Sequence, residues 1–257
     1  MVTVAIITSA TAGIMSTETL PRYRLVAASV LGVGVFLFAL SVPRVVAYFH
    51  LSVVPPVIVS SLNSGRGIEA ASLYAAFEQY AKAEAYLPND AVIKQDLGRL
   101  ELRRADLLEE NPVQHAAALR LASDYLRSSI QAAPARAFPW ALEAYVQSRL
   151  PGPSVEVNRL LRMSYFLGPH EASSLLLRAR VGVDRWEFLD ADVRQFTSND
   201  LEEMWRDIRL HRLLIPIYLD APVSTRIEMR KLILTDRESE LRFDRMLRRA
   251  LASRKSN

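Results

Sequence analysis

The chain has 257 residues, half of them hydrophobic, with nine glycines, no cysteine and a net charge of +4. That length can bury a substantial core, and the glycine-poor usage, rich in Ala, Leu and Arg, points to an all-α protein rather than a strand-rich one. The absence of cysteine excludes disulfides, thiolate metal sites and a cysteine nucleophile.

The first fourteen residues, MVTVAIITSATAGI, carry no charge, are too short to span a membrane and lack the basic start of an export signal. Met15 opens MSTETLPRYR, a polar and basic leader, so translation from Met15 is one expectation. From Leu25 to Val42 run eighteen uncharged residues, LVAASVLGVGVFLFALSV, enough for a spanning helix. Pro43 and Arg44 interrupt them, and VVAYFHLSVV then stays apolar to Val54. No amphipathic period breaks the run, which separates it from the buried core helix of a soluble protein. Ala39 and Ser41 fit a leader cleaved after Ser41. The apolar stretch past Pro43 and the long flank before Arg22 favour a retained anchor instead, assigned to residues 25–48 behind a leader at 1–24. Arg22 and Arg24 against the single Arg44 place the N-terminus in the cytoplasm and the later residues outside it.

Val53 to Val59 reads VVPPVIV, where adjacent prolines predict extended or polyproline backbone. With Asn63, Ser64, Gly65 and Gly67 it makes a linker, placed at residues 49–66. A helix follows from about Ile68 to Leu87, carrying Ala76, Tyr80, Ala83 and Pro88 at gaps of four, three and five. Ala122, Leu126, Ser129 and Pro134 repeat those gaps, and so do Val157, Leu161, Ser164 and Pro169. Ten residues beyond each proline stands a small residue, Gly98, Ala144 or Ala179, where a following helix needs close backbone approach.

This phasing resembles the tetratricopeptide repeat, with Leu97-Gly98 and Trp140 at positions that the family favours. The resemblance implies antiparallel helical hairpins over residues 67–183, stacked as a solenoid that offers a surface to other proteins. Glu143 and Arg178 depart from it, standing where the family is usually apolar. Pro88 and Pro134 are 46 residues apart and Pro134 and Pro169 are 35 apart, against a family repeat of about 34. The first unit therefore holds an insertion of about twelve residues, assigned to a longer helix end after Ala91 and a Glu109–Ala116 loop, with Asn111-Pro112 as the stop. The second unit turns at Pro151-Gly152-Pro153, with Ser154 as N-cap; the third opens near Glu171 without a fully formed partner helix.

After Val183 the phasing is lost. Asn199 and Glu202 read as a capping arrangement opening a helix with Leu201, Met204, Trp205 and Ile208 on one face. Pro216 in LLIPIYL should kink or end that region, and Ala221-Pro222 makes a turn. Thr235 and Glu238 form a second capping box, followed by Phe243, Met246, Leu247, Ala250 and Leu251 at helical spacing. Arg242, Arg245, Arg248 and Arg249 take the other side. Between Arg226 and Asn257 ten basic residues face five acidic ones, a net +5, which leaves the rest of the chain at −1. Residues 184–257 thus read as a terminal helical cap with a basic tail.

No catalytic constellation emerges, and no catalytic, cofactor-binding or metal-ligating residue is assigned. His50, His115, His170 and His211 stand alone, and His170-Glu171 reads as a helix start. Asp184, Asp190 and Asp192 near Trp186 read as solvated loop acids and caps. Gly32 and Gly34 lie in the apolar segment, so they form no phosphate loop. The candidate partner-binding residues are Arg242, Arg245, Arg248 and Arg249, with an acidic partner or surface expected and no nucleic acid. Together with the anchor, the resemblance implies a single-pass inner-membrane protein with the bulk of the chain in the periplasm. There it would act as a scaffold for other proteins of an envelope assembly, such as polysaccharide synthesis or export. A chaperone-like client-binding factor and an accessory subunit of an envelope enzyme are the alternatives. A groove lined with Asn, Lys and Arg would favour peptide binding, and an apolar, aromatic one a fixed protein partner.

Overall fold

Helix α1 (Thr19–Ser52) runs without a break through Pro43 in the computed structural model, which describes residues 19–56, 58, 69–152 and 154–255. The leader with Met15, the Asn63–Gly67 stretch and Pro153 lie outside the described residues, as does the side chain of Ser154. Within α1, Val26–Ser52 is long and apolar enough to cross a membrane, 27 residues or roughly 40 Å at ~1.5 Å per residue. None of its apolar window is covered by the rest of the described chain, so it is no core helix of this fold.

The far end of α1 is covered. Ala47 has no exposed surface, and with Val54 and Ile58 it joins a core with Leu73, Ala76, Tyr80 and Ala83 of α2 (Ala70–Tyr86). The polyproline expectation for Val53–Val59 is corrected there. The Ile58 N–H donates to the Pro55 carbonyl at 2.9 Å, closing a turn. Pro56 occupies the turn's start, where a missing N–H leaves no bond unmade. Helical structure also continues to Ser52, inside the span assigned to the linker.

Among the described residues nine further helices follow: α3 (Ala91–Leu107), α4 (Pro112–Ala132), α5 (Ala137–Arg149), α6 (Ser154–Leu167), α7 (Ala172–Asp184), α8 (Ala191–Arg206), α9 (His211–Asp220), α10 (Val223–Ile233) and α11 (Arg237–Lys255). A 3-10 turn, Trp186–Phe188, stands between α7 and α8. Among the described residues there is no strand. Sequence neighbours pack as spatial neighbours from α1 through α6, then α5 receives α7 and α7 receives α8.

The small-residue phasing is what permits this packing. Ala76, Tyr80, Ala83, Ala122, Leu126, Ser129, Val157, Leu161 and Ser164 are all buried. At Gly98 an added Cβ would sit 2.8 Å from Leu126 Cγ and 3.2 Å from the Ala122 carbonyl oxygen, so only glycine lets α3 and α4 approach this closely. Ala144 and Ala179 are fully buried at their own crossings.

Four local assignments need correction. Asn111-Pro112 stops α3 by starting α4: the Asn111 side chain accepts from the Gln114 N–H at 3.2 Å, with Pro112 at the first helical position. The extra residues of this unit are therefore mainly helix, and the proposed Glu109–Ala116 loop shrinks to a short turn. Asn199 lies inside α8, exposed and accepting from Gln195, so it caps nothing. Polar residues on an outer helical face had imitated a capping box. Pro216 does not end the helix, since α9 continues through it to Asp220, and both Pro216 and Arg212, whose carbonyl the proline leaves without its usual partner, are exposed residues. Asp236, and not Thr235, caps α11 by accepting from the Ser239 N–H at 2.8 Å.

The third repeat motif does have a partner helix. Gly182 of α7 meets α8 so closely that a Cβ would lie 2.4 Å from both Thr197 Cγ2 and Oγ1. Gly182→Ala should therefore lower the melting midpoint of the detergent-solubilised chain, costing about 1–3 kcal/mol by overpacking. That exceeds the roughly 1 kcal/mol that alanine gains over glycine in helix propensity. An unchanged or raised midpoint would contradict the crossing.

Candidate functional site

Two of the departures from the repeat pattern turn out to be buried charges. Glu143 of α5 has no exposed surface and accepts from Ser123 Oγ at 2.7 Å, Arg127 Nε at 3.1 Å and Gln147 Nε2 at 2.9 Å. Burial raises its pKa against the pull of these donors. Arg178 of α7 is equally buried. Its guanidinium donates to Asp200 of α8 at 3.0 Å and to the Gly168 and Pro169 carbonyls at 2.7 and 3.0 Å, and it lies over the Tyr165 ring. It thereby ties the end of α6, α7 and α8 together. Desolvation outweighs the guanidinium's pull on Asp200 and pushes that carboxyl up to about 6.

Beside these structural charges a groove of about 480 Å³ opens between α3, α5 and α7, closed at one end by α9. Arg103 and Asp106 come from α3, Tyr145 and Arg149 from α5, Arg180 and Asp184 from α7, and Asp220 from α9. Asp106 is shared by Arg149 at 2.6 Å and Arg103 at 3.1 Å. The guanidinium groups of Arg149 and Arg180 lie 5.7 and 5.6 Å from the Tyr145 ring centroid. Arg180 is exposed, and among the described residues no carboxylate stands within ion-pair distance of it. This arrangement holds no nucleophile beside a base. It offers a mixed-charge surface with one aromatic platform, suited to a charged, extended segment.

The four tail arginines take a separate place. Arg242 is half-buried and donates to Glu238 at 2.9 Å. Arg245, Arg248 and Arg249 are exposed on α11, opposite Phe243, which is buried against Trp205 and Tyr218. Arg245 Nε reaches only the Leu241 carbonyl at 3.3 Å. The basic face is thus free of the core and does not line the groove.

The remaining polar candidates serve the fold. His50 Nδ1 meets Gln79, His115 Nδ1 donates to the Ala105 carbonyl, and His211 Nε2 donates to the Trp205 carbonyl and stacks on its ring. His170 stands exposed, 4.0 Å from Glu203, and Glu171 accepts from Ser173 and Ser174. Asp190 and Asp192 are exposed, as expected, but both grip Arg162 of α6 at 2.8 and 2.6 Å. Among the described residues no group of His, Asp and Glu is placed to hold a metal ion.

The groove residues escaped the sequence reading, although a signal was there. Tyr145 and Arg180 directly follow Ala144 and Ala179, so each stands one helical step round from a close crossing. No family model, curated protein or solved structure matches the chain.

Arg178→Met alone should cost about 3–5 kcal/mol, because it leaves Asp200 buried and uncompensated. Arg178→Met with Asp200→Leu should recover most of that loss, as thermal unfolding would show. Additive losses in the double variant would contradict the pairing.

Proposed function

We propose that this protein is a membrane-anchored adaptor whose repeat-like helical stack holds a second protein of the cell envelope. The observation that carries the reading is the groove across α3, α5 and α7, where charged side chains and Tyr145 outnumber the apolar Val181, Val183, Ile217 and Ala221. Such a surface suits a polar, extended peptide segment better than a fixed apolar partner. Arg and Tyr, the residue types that concentrate binding energy at interfaces, meet there at Tyr145, Arg149 and Arg180. The long apolar helix supports residence in the membrane, and Arg22 and Arg24 against Arg44 support a stack on the periplasmic side. The paired-helix phasing supports a solenoid of the tetratricopeptide kind. Envelope polysaccharide synthesis or export is the setting that this layout suggests.

The test is co-purification of the tagged full chain from solubilised membranes, followed by affinity measurement with the recovered partner. Arg149→Glu with Arg180→Glu should cost at least about tenfold in affinity without loss of fold, as removal of interface Arg anchors does. Undiminished affinity would remove the groove as the binding site.

The tail makes a distinct expectation. Arg245→Glu with Arg249→Glu should slow association with an acidic partner most at low salt, because exposed charges are screened over about 8 Å at physiological ionic strength. The melting midpoint should hold, since both side chains project into solvent. Association rates equal to those of the unchanged chain at both low and high salt would leave α11 as a solvated cap only.

A further inference from the structure

The position along α1 at which the helical stack begins bears directly on where the stack can sit. From Val26 to Val42 every residue of α1 is exposed; Pro43 and Val46 are the first partly covered ones, and Ala47 is fully buried. Counting ~1.5 Å per residue from Leu25, the first residue after the charged Arg24, the rise reaches roughly 30 Å at about Val45, which is the thickness of a hydrocarbon core. The body of the protein therefore starts where the hydrocarbon ends, with no free length of α1 between them.

What surrounds that level is aromatic. Tyr48 and Phe49 are 52% and 65% exposed on the uncovered side of α1. His50, one turn beyond Val46, is bonded to Gln79 and stacked on Tyr86, with ring centroids 6.1 Å apart. Tyr86 closes α2 and is itself 48% exposed, just ahead of the exposed Pro88 and Asn89. The stacking holds the end of α2 at the same level as His50, within the polar layer that adds about 5–8 Å to each side of the hydrocarbon. Tyrosine prefers that layer because its ring is apolar and its hydroxyl is wet.

We infer that the α1–α2 junction, with the exposed rings of Tyr48, Phe49 and Tyr86, is seated in the headgroup layer of the bilayer that α1 crosses, so that the stack rests on the membrane surface. The inference rests on the reading of α1 as a spanning helix. It excludes a stack held away from the lipid by a tether. It also fixes which end of the stack is membrane-proximal: the α2–α3 turn lies at the lipid, and the groove is presented by the helices that follow.

The chain has no cysteine, so single-cysteine variants carry a fluorophore at one place only. Phe36→Cys, Phe49→Cys, Tyr86→Cys, Asn89→Cys and Phe188→Cys of the full chain, each labelled with bimane, would be reconstituted into phosphatidylethanolamine and phosphatidylglycerol vesicles. A phospholipid with a headgroup nitroxide and one with a mid-chain nitroxide serve as quenchers. The labels at 86 and 89 should lose as much emission to the headgroup nitroxide as the label at 49, while the label at 188 loses none. The exposed Asn89 site covers the case in which replacing Tyr86 disturbs its stacking. The label at 36 reports on the spanning helix itself and should be quenched by the mid-chain nitroxide. Quenching at 36 with none at 86 and 89 would overturn the surface seat while leaving the anchor intact. No quenching at 36 would overturn the anchor and the seat together.

Discussion

The closing turns of α1 present Ala47, His50 and Leu51 to α2, and Ala47, with Val54 just beyond the helix, shares one core with Leu73, Ala76, Tyr80 and Ala83. The residues of α2 that receive α1 are thus also the first instance of the small-residue phasing that organises α3 to α6. A helix whose apolar side chains elsewhere face outward becomes, over its last turns, an ordinary member of the stack. Burying Val54 and Ile58 adds about 1.5–3 kcal/mol each, before the entropy of ordering them is counted. The alanine at 47 matters for a different reason, because only a small side chain lets the two backbones meet there.

Close approach recurs down the stack in forms that differ in how visible they are. Gly98 against Leu126 was legible, since glycine ten residues past Pro88 fell in phase with Ala144 and Ala179. The meeting of α7 and α8 was not. Val193, Thr197 and Asp200 repeat the gaps of four and three and are all buried, but Trp205 stands where the other instances have proline. Two of those three positions are polar, so hydrophobic periodicity alone passed over them. Asp200 is admissible in the core only because Arg178 reaches it, and the two lie 22 residues apart. The same limit explains the errors at Asn199 and Thr235: a three-residue capping pattern describes local chemistry, while tertiary burial decides where a helix begins.

Buried charge also separates the fold from the site. Glu143 and Arg178 departed from the repeat-like pattern, and both are fully enclosed and spend their bonds on neighbouring helices. Among the exposed charges are Arg180 in the groove and Arg245, Arg248 and Arg249 on α11. The basic tail was readable from composition because it is contiguous in sequence. The groove was not read, because its lining is scattered between Arg103 and Ala221 and only Tyr145 and Arg180 stand next to phased positions.

The core shared by Ala47 and α2 makes α1 and the stack one rigid piece. Double electron–electron resonance between nitroxides at Phe36→Cys and Leu107→Cys, both exposed positions, measures this in nanodiscs on the full chain. Docking of α1 on α2 gives a single narrow distance distribution, unchanged by raising salt. A broad distribution would mean that the stack swings on a tether, and the continuity between the long apolar helix and the helical core would be wrong.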